Sequence, residues 1–317
     1  MTLHNIKCDN SKRIKVTLFF FQFVFFAFIN PVFTQILDNR TGKAFTDRPF
    51  FNEEFIKNNR IKELGAIVSY KKQGGALTKT KLSYTFLFDE LGRLIHTIET
   101  NYRGHIIDTL ENFYFYENNR ISIHRKKEMN GYTSTHSKYD ENGNPELMEF
   151  HRDVIDEQKN VVKSVVLYSK MLSTDITYYN KENGTSPKTY KRTIFNNYDR
   201  PYKEIIFKYS EDGYLLEEIE KLKMKSIFFK KTYDYNQNGW ISEIKNFNSN
   251  STKASEKWTY KYDDFGNLTK LDYYRGNNLI EEKEVYYSDQ TKLIGNMLVI
   301  KNQEFKIMQF KNIKYYE

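Results

Sequence analysis

The chain has 317 residues, 28% of them charged, a formal net charge of +8 and a mean hydropathy of −0.72. Aromatic residues reach 16%, with 25 Tyr and 25 Phe, which excludes an intrinsically disordered chain; 5 Pro and 14 Gly exclude a collagen-like or low-complexity one.

In chain order, the first predicted element is a secretory signal peptide over residues 1–34. Lys12, Arg13 and Lys15 precede an uncharged apolar run from Val16 to Ile29, which Pro31 breaks. Val32 and Thr34 stand at the small-residue positions, so cleavage is expected at Thr34-Gln35. The run is short for a membrane helix, and an uncleaved anchor is the alternative. Removal of the segment takes away Cys8, the single Cys, so the mature chain forms no disulfide. It also removes Lys7, Lys12, Arg13 and Lys15 against Asp9, a net +3 of the +8, which leaves about +5. That mild imbalance, together with export, argues against nucleic acid as a partner.

Residues 35–64 are expected to form a lead-in with one short helix. Asn52 supplies a cap, Glu53 and Glu54 fill the first turn, and Phe55 and Ile56 supply apolar contacts. This helix is expected to cover the exposed edge of the first strand.

From residue 65 to 317 the sequence reads as repeated hairpins. The stretch "YDDFGNL" at Tyr262 has relatives at Phe88, Tyr116, Tyr139, Phe195, Tyr209 and Tyr235. Aligned on the glycine position they fall at Gly92, Asn119, Gly143, Asp199, Gly213, Gly239 and Gly266. The successive gaps are 27, 24, 56, 14, 26 and 27 residues. The 56-residue gap reads as two units, with a degenerate one near Tyr168, and the 14-residue gap as half a unit. Asp or Asn after the aromatic can bond backbone N–H groups ahead of it, and Gly takes the left-handed conformation that the loop needs. The structural turn residues are therefore Asp89, Gly92, Asp140, Gly143, Gly213, Gly239, Asp263 and Gly266. Flanking runs alternate: Trp258, Tyr260 and Tyr262 share one face, and Thr259 and Lys261 the other. About eight units give about sixteen strands, more than an open twisted sheet holds without curling. The expected fold is all-β: an antiparallel meander of hairpins forming a curled or spiral sheet, with a thin core and one aromatic face.

These units resemble the YD-repeat family, also called Rhs-type repeats, through Phe88-Asp89…Gly92-Arg93-Leu94, Tyr139-Asp140…Gly143-Asn144 and Tyr262-Asp263…Gly266-Asn267-Leu268. The resemblance spans about residues 80 to 300. It implies β-strands that can wind into a spiral shell, in proteins often secreted or envelope-associated, some of which enclose a toxin.

Chemical motifs are sparse. "DYNQNGWISE", Asp234 to Glu243, follows the order of a calcium loop, but the closing twelfth position is Lys245, so it reads as a hairpin turn and no metal is expected. His96, His105, His124, His136 and His151 form no close pair of zinc-ligand spacing. No P-loop, GxGxxG or GxSxG occurs, and no cofactor is expected. The carboxylates of Glu217 to Lys221 and Glu281 to Glu284 read as solvated strand faces rather than a glycosidase pair. The expected protein is a non-enzymatic structural or binding surface, secreted, periplasmic or on the bacterial cell surface, with no stable membrane span after cleavage. Its expected partner is a glycan or an envelope protein, met by Trp240, Trp258 and Tyr260. The alternatives are a part of a toxin-delivery or contact-dependent system, and a hydrolase built on carboxylates distant in sequence.

Overall fold

A computed structural model describes residues 35–156, 166–182, 188–249 and 251–317, so the predicted leader with Cys8 and its cleavage point lie outside the described residues. Residues 35–317 cluster as one unit. Among the described residues a single helix, α1 (Glu53–Asn58), is followed by β1 (Ile61–Lys72), β2 (Thr78–Phe88), β3 (Leu94–Arg103), β4 (Ile106–Glu117), β5 (Arg120–Glu128) and β6 (Gly131–Tyr139). The chain continues with β7 (Pro145–Ile155), β8 (Val166–Glu182), β9 (Lys188–Phe195), β10 (Pro201–Tyr209), β11 (Leu215–Leu222) and β12 (Phe228–Tyr235). It ends with β13 (Ile241–Asn248), β14 (Glu256–Tyr262), β15 (Leu268–Arg275), β16 (Asn278–Tyr287), β17 (Ile294–Lys301) and β18 (Glu304–Tyr315).

All eighteen strands pair antiparallel with their sequence neighbours, and β18 pairs with β1, so the sheet is a closed barrel. This corrects the expected curled or spiral sheet. A meander of this many twisted strands removes both edges by joining them. The closing ladder is long, from Ile61 opposite Tyr315 to Lys72 opposite Glu304. With β1 paired on both sides, α1 has no edge to cover, and the lead-in packs inside the barrel instead. Ile36, Leu37, Phe50, Phe51, Phe55 and Ile56 share one core cluster with Leu64 and Val68 of β1, Phe86 of β2, Tyr260 of β14, Leu271 of β15 and Met308 of β18. The core is therefore the filled lumen, and it forms because a barrel this wide would otherwise hold water against its apolar wall.

Five-residue turns at 89–93, 140–144, 210–214, 236–240 and 263–267 gather at one end of the barrel. At residues 89–93, 236–240 and 263–267, the first side-chain oxygen accepts hydrogen bonds from the backbone N–H groups of the third and fifth residues at 2.8–3.0 Å. The fourth residue has positive φ, +83° at Gly92 and +84° at Gly266. Asn119 belongs to a different turn, two residues long, in which Asn118 and Asn119 both have positive φ. The irregular gaps count strands. Three strands separate Gly143 from Asp199 and one separates Asp199 from Gly213, so the turn at Asp199 falls at the opposite end. Tyr168 lies within β8 rather than in a degenerate turn. That strand pairs with β7 through Val166–Ile176 and with β9 through Ile176–Glu182, changing partner at Ile176.

The tyrosine that opens a unit ties it to the one before. Tyr116, Tyr139, Tyr235, Tyr262 and Tyr287 donate their hydroxyls to the carbonyls of Leu94, Ile121, Leu215, Ile241 and Leu268, all at 2.7–2.9 Å. Each acceptor is the first or second residue of the strand after a turn. Tyr316 makes the same bond, 2.6 Å, to Phe88, across the closure.

Paired residues of an antiparallel ladder point to one side. The face opposite the lumen is ionic along β9–β16. Lys191 meets Glu204 at 2.9 Å, and Glu217 lies between Lys208 at 2.7 Å and Lys230 at 3.7 Å. Glu243 lies between Lys245 and Lys257, and Lys270 meets Glu282 at 2.5 Å. No helix among the described residues is long and apolar enough to cross a membrane. The strands could do so only with an apolar outer band, and along β9–β16 the positions that would form it carry Lys and Glu.

Candidate functional site in the barrel lumen

A cavity of about 660 Å³ occupies the lumen beyond the lead-in. Its floor is Phe45, Phe50 and Phe51, with the Phe50 and Phe51 rings stacked 4.8 Å apart. Its wall runs from Tyr70 of β1 through Tyr84 of β2 and Glu99 of β3 to Lys126 and Glu128 of β5, and on the other side through Glu281, Lys283, Val299 and Lys306. Asn302 and Glu304, at the short β17–β18 turn, place the cavity toward the end away from the five-residue turns. The cavity is thus a cup whose base is made by the chain's own lead-in.

The register explains how these side chains converge. Tyr70 stands opposite Lys306 across the closing ladder, and Tyr84 stands opposite Glu99. The Lys306 ammonium donates to the Tyr84 hydroxyl at 2.7 Å, and that hydroxyl donates to Glu99. Lys306 also lies 4.6 Å from the Tyr84 ring centroid and 3.9 Å from Glu99. Burial lowers the pKa of Lys306, against the opposing charges of Glu99 and Glu281. Burial, then the charge of Glu99, raises that of Tyr84. Burial likewise raises that of Tyr70, with Glu99 and Glu304 adding to it. Farther round, Lys283 bonds Glu281 at 2.6 Å, and Lys126 bonds Asp47 of the lead-in. Tyr114 donates to the Asp47 carbonyl and stacks on His124, whose pKa burial and then Lys126 push down to about 4.

The residues predicted from sequence lie elsewhere. Asp89, Asp140 and Asp263 hold their turns, and Gly92, Gly143, Gly213, Gly239 and Gly266 take positive φ within the five-residue turns. Trp258, Tyr260 and Trp240 form no exposed outer platform. Tyr260 is buried in the lumen core, Trp258 is half-buried and stacks on Tyr273 at 5.1 Å, and Trp240 packs on Tyr262 at 5.2 Å beside Gly266. In the calcium-like string, Asp234 lies 3.3 Å from Lys245, and the Asn236 oxygen is engaged by its own turn. Of the acidic runs, Glu217, Glu282 and Glu284 face outward, Glu281 faces the cavity, and Glu218 accepts from Tyr233. Among the described residues no cluster of three or more His, Cys, Asp or Glu is arranged to hold a metal. His96 and Glu111 are buried together on the outer face at 2.8 Å, as are Arg125 and Asp153 at 2.9 Å.

Lys306, Tyr84 and Glu99 were not found from sequence. Lys306 is separated from the other two by more than two hundred positions, and only the ring closure brings it to them. The available signal was alternation: Lys306, Met308 and Phe310 occupy one face of β18.

No protein-family model matches the sequence, and no curated protein matches it. Among solved structures, a porin-like protein from Bacteroides uniformis aligns at 11% identity and a TM-score of 0.38, over 80% of this chain and 98% of that one. A porin-like protein from Bacteroides vulgatus aligns at 10% identity and a TM-score of 0.27, over 77% and 97%. The TcdB2-TccC3-Cdc42 complex aligns at 12% identity and a TM-score of 0.22, over 69% of this chain and 14% of that one. At these scores the likenesses carry no argument, and the YD-repeat resemblance rests on the turns alone.

Proposed function

We propose that the protein is a non-enzymatic, water-facing β-barrel of the bacterial envelope or secreted space, which holds a ligand in its lumen rather than passing solutes through a bilayer. The observation that carries this reading is the ionic outer wall along β9–β16. A Lys at the midplane of a lipid-facing barrel costs on the order of 2–4 kcal/mol. Here Lys230, Lys245, Lys257 and Lys270 all point outward and meet carboxylates there. The lead-in supports the same reading, since it fills the lumen that a pore would leave open. It also disfavours the toxin-shell alternative, because the space for a cargo is taken by residues of the same chain. The cavity carboxylates Glu99 and Glu281 are bonded to Tyr84 and Lys283, which disfavours a hydrolytic pair. Placement in the envelope rests on the apolar leader.

The test is liposome flotation and planar-bilayer recording with the exported protein. It is expected to remain in the aqueous fraction and to carry no current. Stable insertion with stepwise conductance would overturn the reading.

A further inference from the structure

We infer that the lumen cavity is a binding site for a short neutral saccharide. The inference deepens the proposed function and rests on its reading of the lumen as a ligand vessel.

Two polar groups in the cavity wall are left with hydrogen-bonding capacity. Lys306 uses one of its three N–H donors, toward Tyr84. The Tyr70 hydroxyl bonds no other described residue, and its ring lines the same wall. A purely apolar ligand would bury both without partners, which is costly. An anion would find Lys306, but it would also find Glu99 3.9 Å from that ammonium and Glu281 already bonded to Lys283. The lysine charge is thus largely compensated before a ligand arrives. A neutral polyol fits what remains, since each hydroxyl both donates and accepts. It can take a bond from Lys306, exchange one with Tyr70 and donate to Glu99. Phe45 and Phe50 on the floor, with Tyr70 on the wall, offer aromatic surface to the C–H faces of a sugar ring. The volume, about 660 Å³, lies within the range of small-molecule sites and leaves room for more than one ring. The site lies inside the barrel, so the selected ligand is a short saccharide that can enter the mouth, not a polymer lying across the outer wall.

Isothermal titration of the exported protein with maltose, cellobiose and lactose tests this, with glucuronate and sulfate as anionic comparators. At least one neutral disaccharide should bind, and better than either anion. Tyr70→Phe, which removes only the hydroxyl, and Glu99→Gln should each weaken it by about tenfold. Their melting temperatures should stay close to the parent's, and Lys257→Ala on the outer wall should change nothing. Absence of binding by all three disaccharides at about 10 mM would overturn the inference, as would binding that both variants leave intact or a preference for the anions that Lys306→Gln abolishes. None of these results depends on the bilayer experiment. A barrel that inserts into membranes defeats the proposed function alone, and a soluble barrel that binds no saccharide defeats this inference alone.

Discussion

At the residue scale, the turn glycines share a conformation but not an environment. A β-carbon on Gly92 would meet the backbone of Glu53 and Lys57, because α1 sits against that turn. On Gly266 it would meet Gln35 and Trp240, whereas on Gly213 it would meet nothing within 4 Å. Gly213→Ala therefore carries only the backbone penalty, about 1 kcal/mol, while Gly92→Ala adds a backbone clash and should cost at least about 3 kcal/mol. Urea midpoints of the two variants check the order, and equal losses would contradict the docking of α1. The repeat made these glycines legible in sequence as one class. The contrast among them was not, since it depends on what lies beneath each turn: lead-in residues at Gly92 and Gly266, Arg120 at Gly143 and Tyr214 at Gly239.

His124 gives a second residue-scale prediction. Its folded pKa, about 4, lies below its ordinary value, so the unfolded chain binds the proton more readily. Stability attached to this group is present above about pH 6.5 and is lost as pH falls toward 4. Parent and His124→Gln melting temperatures should therefore converge as the pH drops through that interval. A constant difference would show that the ring is not held neutral.

At the element scale, the helix and the strand periods were legible because each is set within a few residues. Asn52 caps α1 as its sequence suggests, accepting from Glu54 and Phe55 at 3.1 and 3.3 Å. Asn52→Ala should cost about 1 kcal/mol and Asn52→Asp much less, measured by denaturant unfolding. Strand count was harder to read. The 56-residue gap hides three strands, one of them the long β8, whose change of partner at Ile176 leaves no turn residue to mark it. The tyrosines also carry more than amphipathic packing. Their hydroxyls end on backbone carbonyls about twenty residues back, a contact that no local pattern announces.

At the scale of the whole molecule, closure was the part the sequence did not reveal. Local signals define each hairpin, but whether eighteen strands remain open or join depends on Ile61 meeting Tyr315 across nearly the whole described chain. The lumen site shares that dependence, since β1 and β2 bring Tyr70 and Tyr84 while β18 brings Lys306. Tyr316 is the last hydroxyl tie of the ring, and Tyr316→Phe leaves the Phe88 carbonyl without that donor. The variant should lose about 1 kcal/mol. Deleting β18 should be far more severe, freeing one edge of β1 and one of β17, and should give concentration-dependent association in sedimentation velocity.

The lead-in enclosed by the barrel imposes an order in time. Residues 35–60 leave the ribosome before any strand, yet the wall around them is complete only when β18 meets β1. A newly made chain must keep Phe50, Phe51 and Ile56 collapsed against the early hairpins while the remaining strands are added, and the ring then zips shut around its own beginning. Closure is thus a late, long-loop event laid over fast local hairpins, and the slowest step belongs to the seam rather than to any repeat.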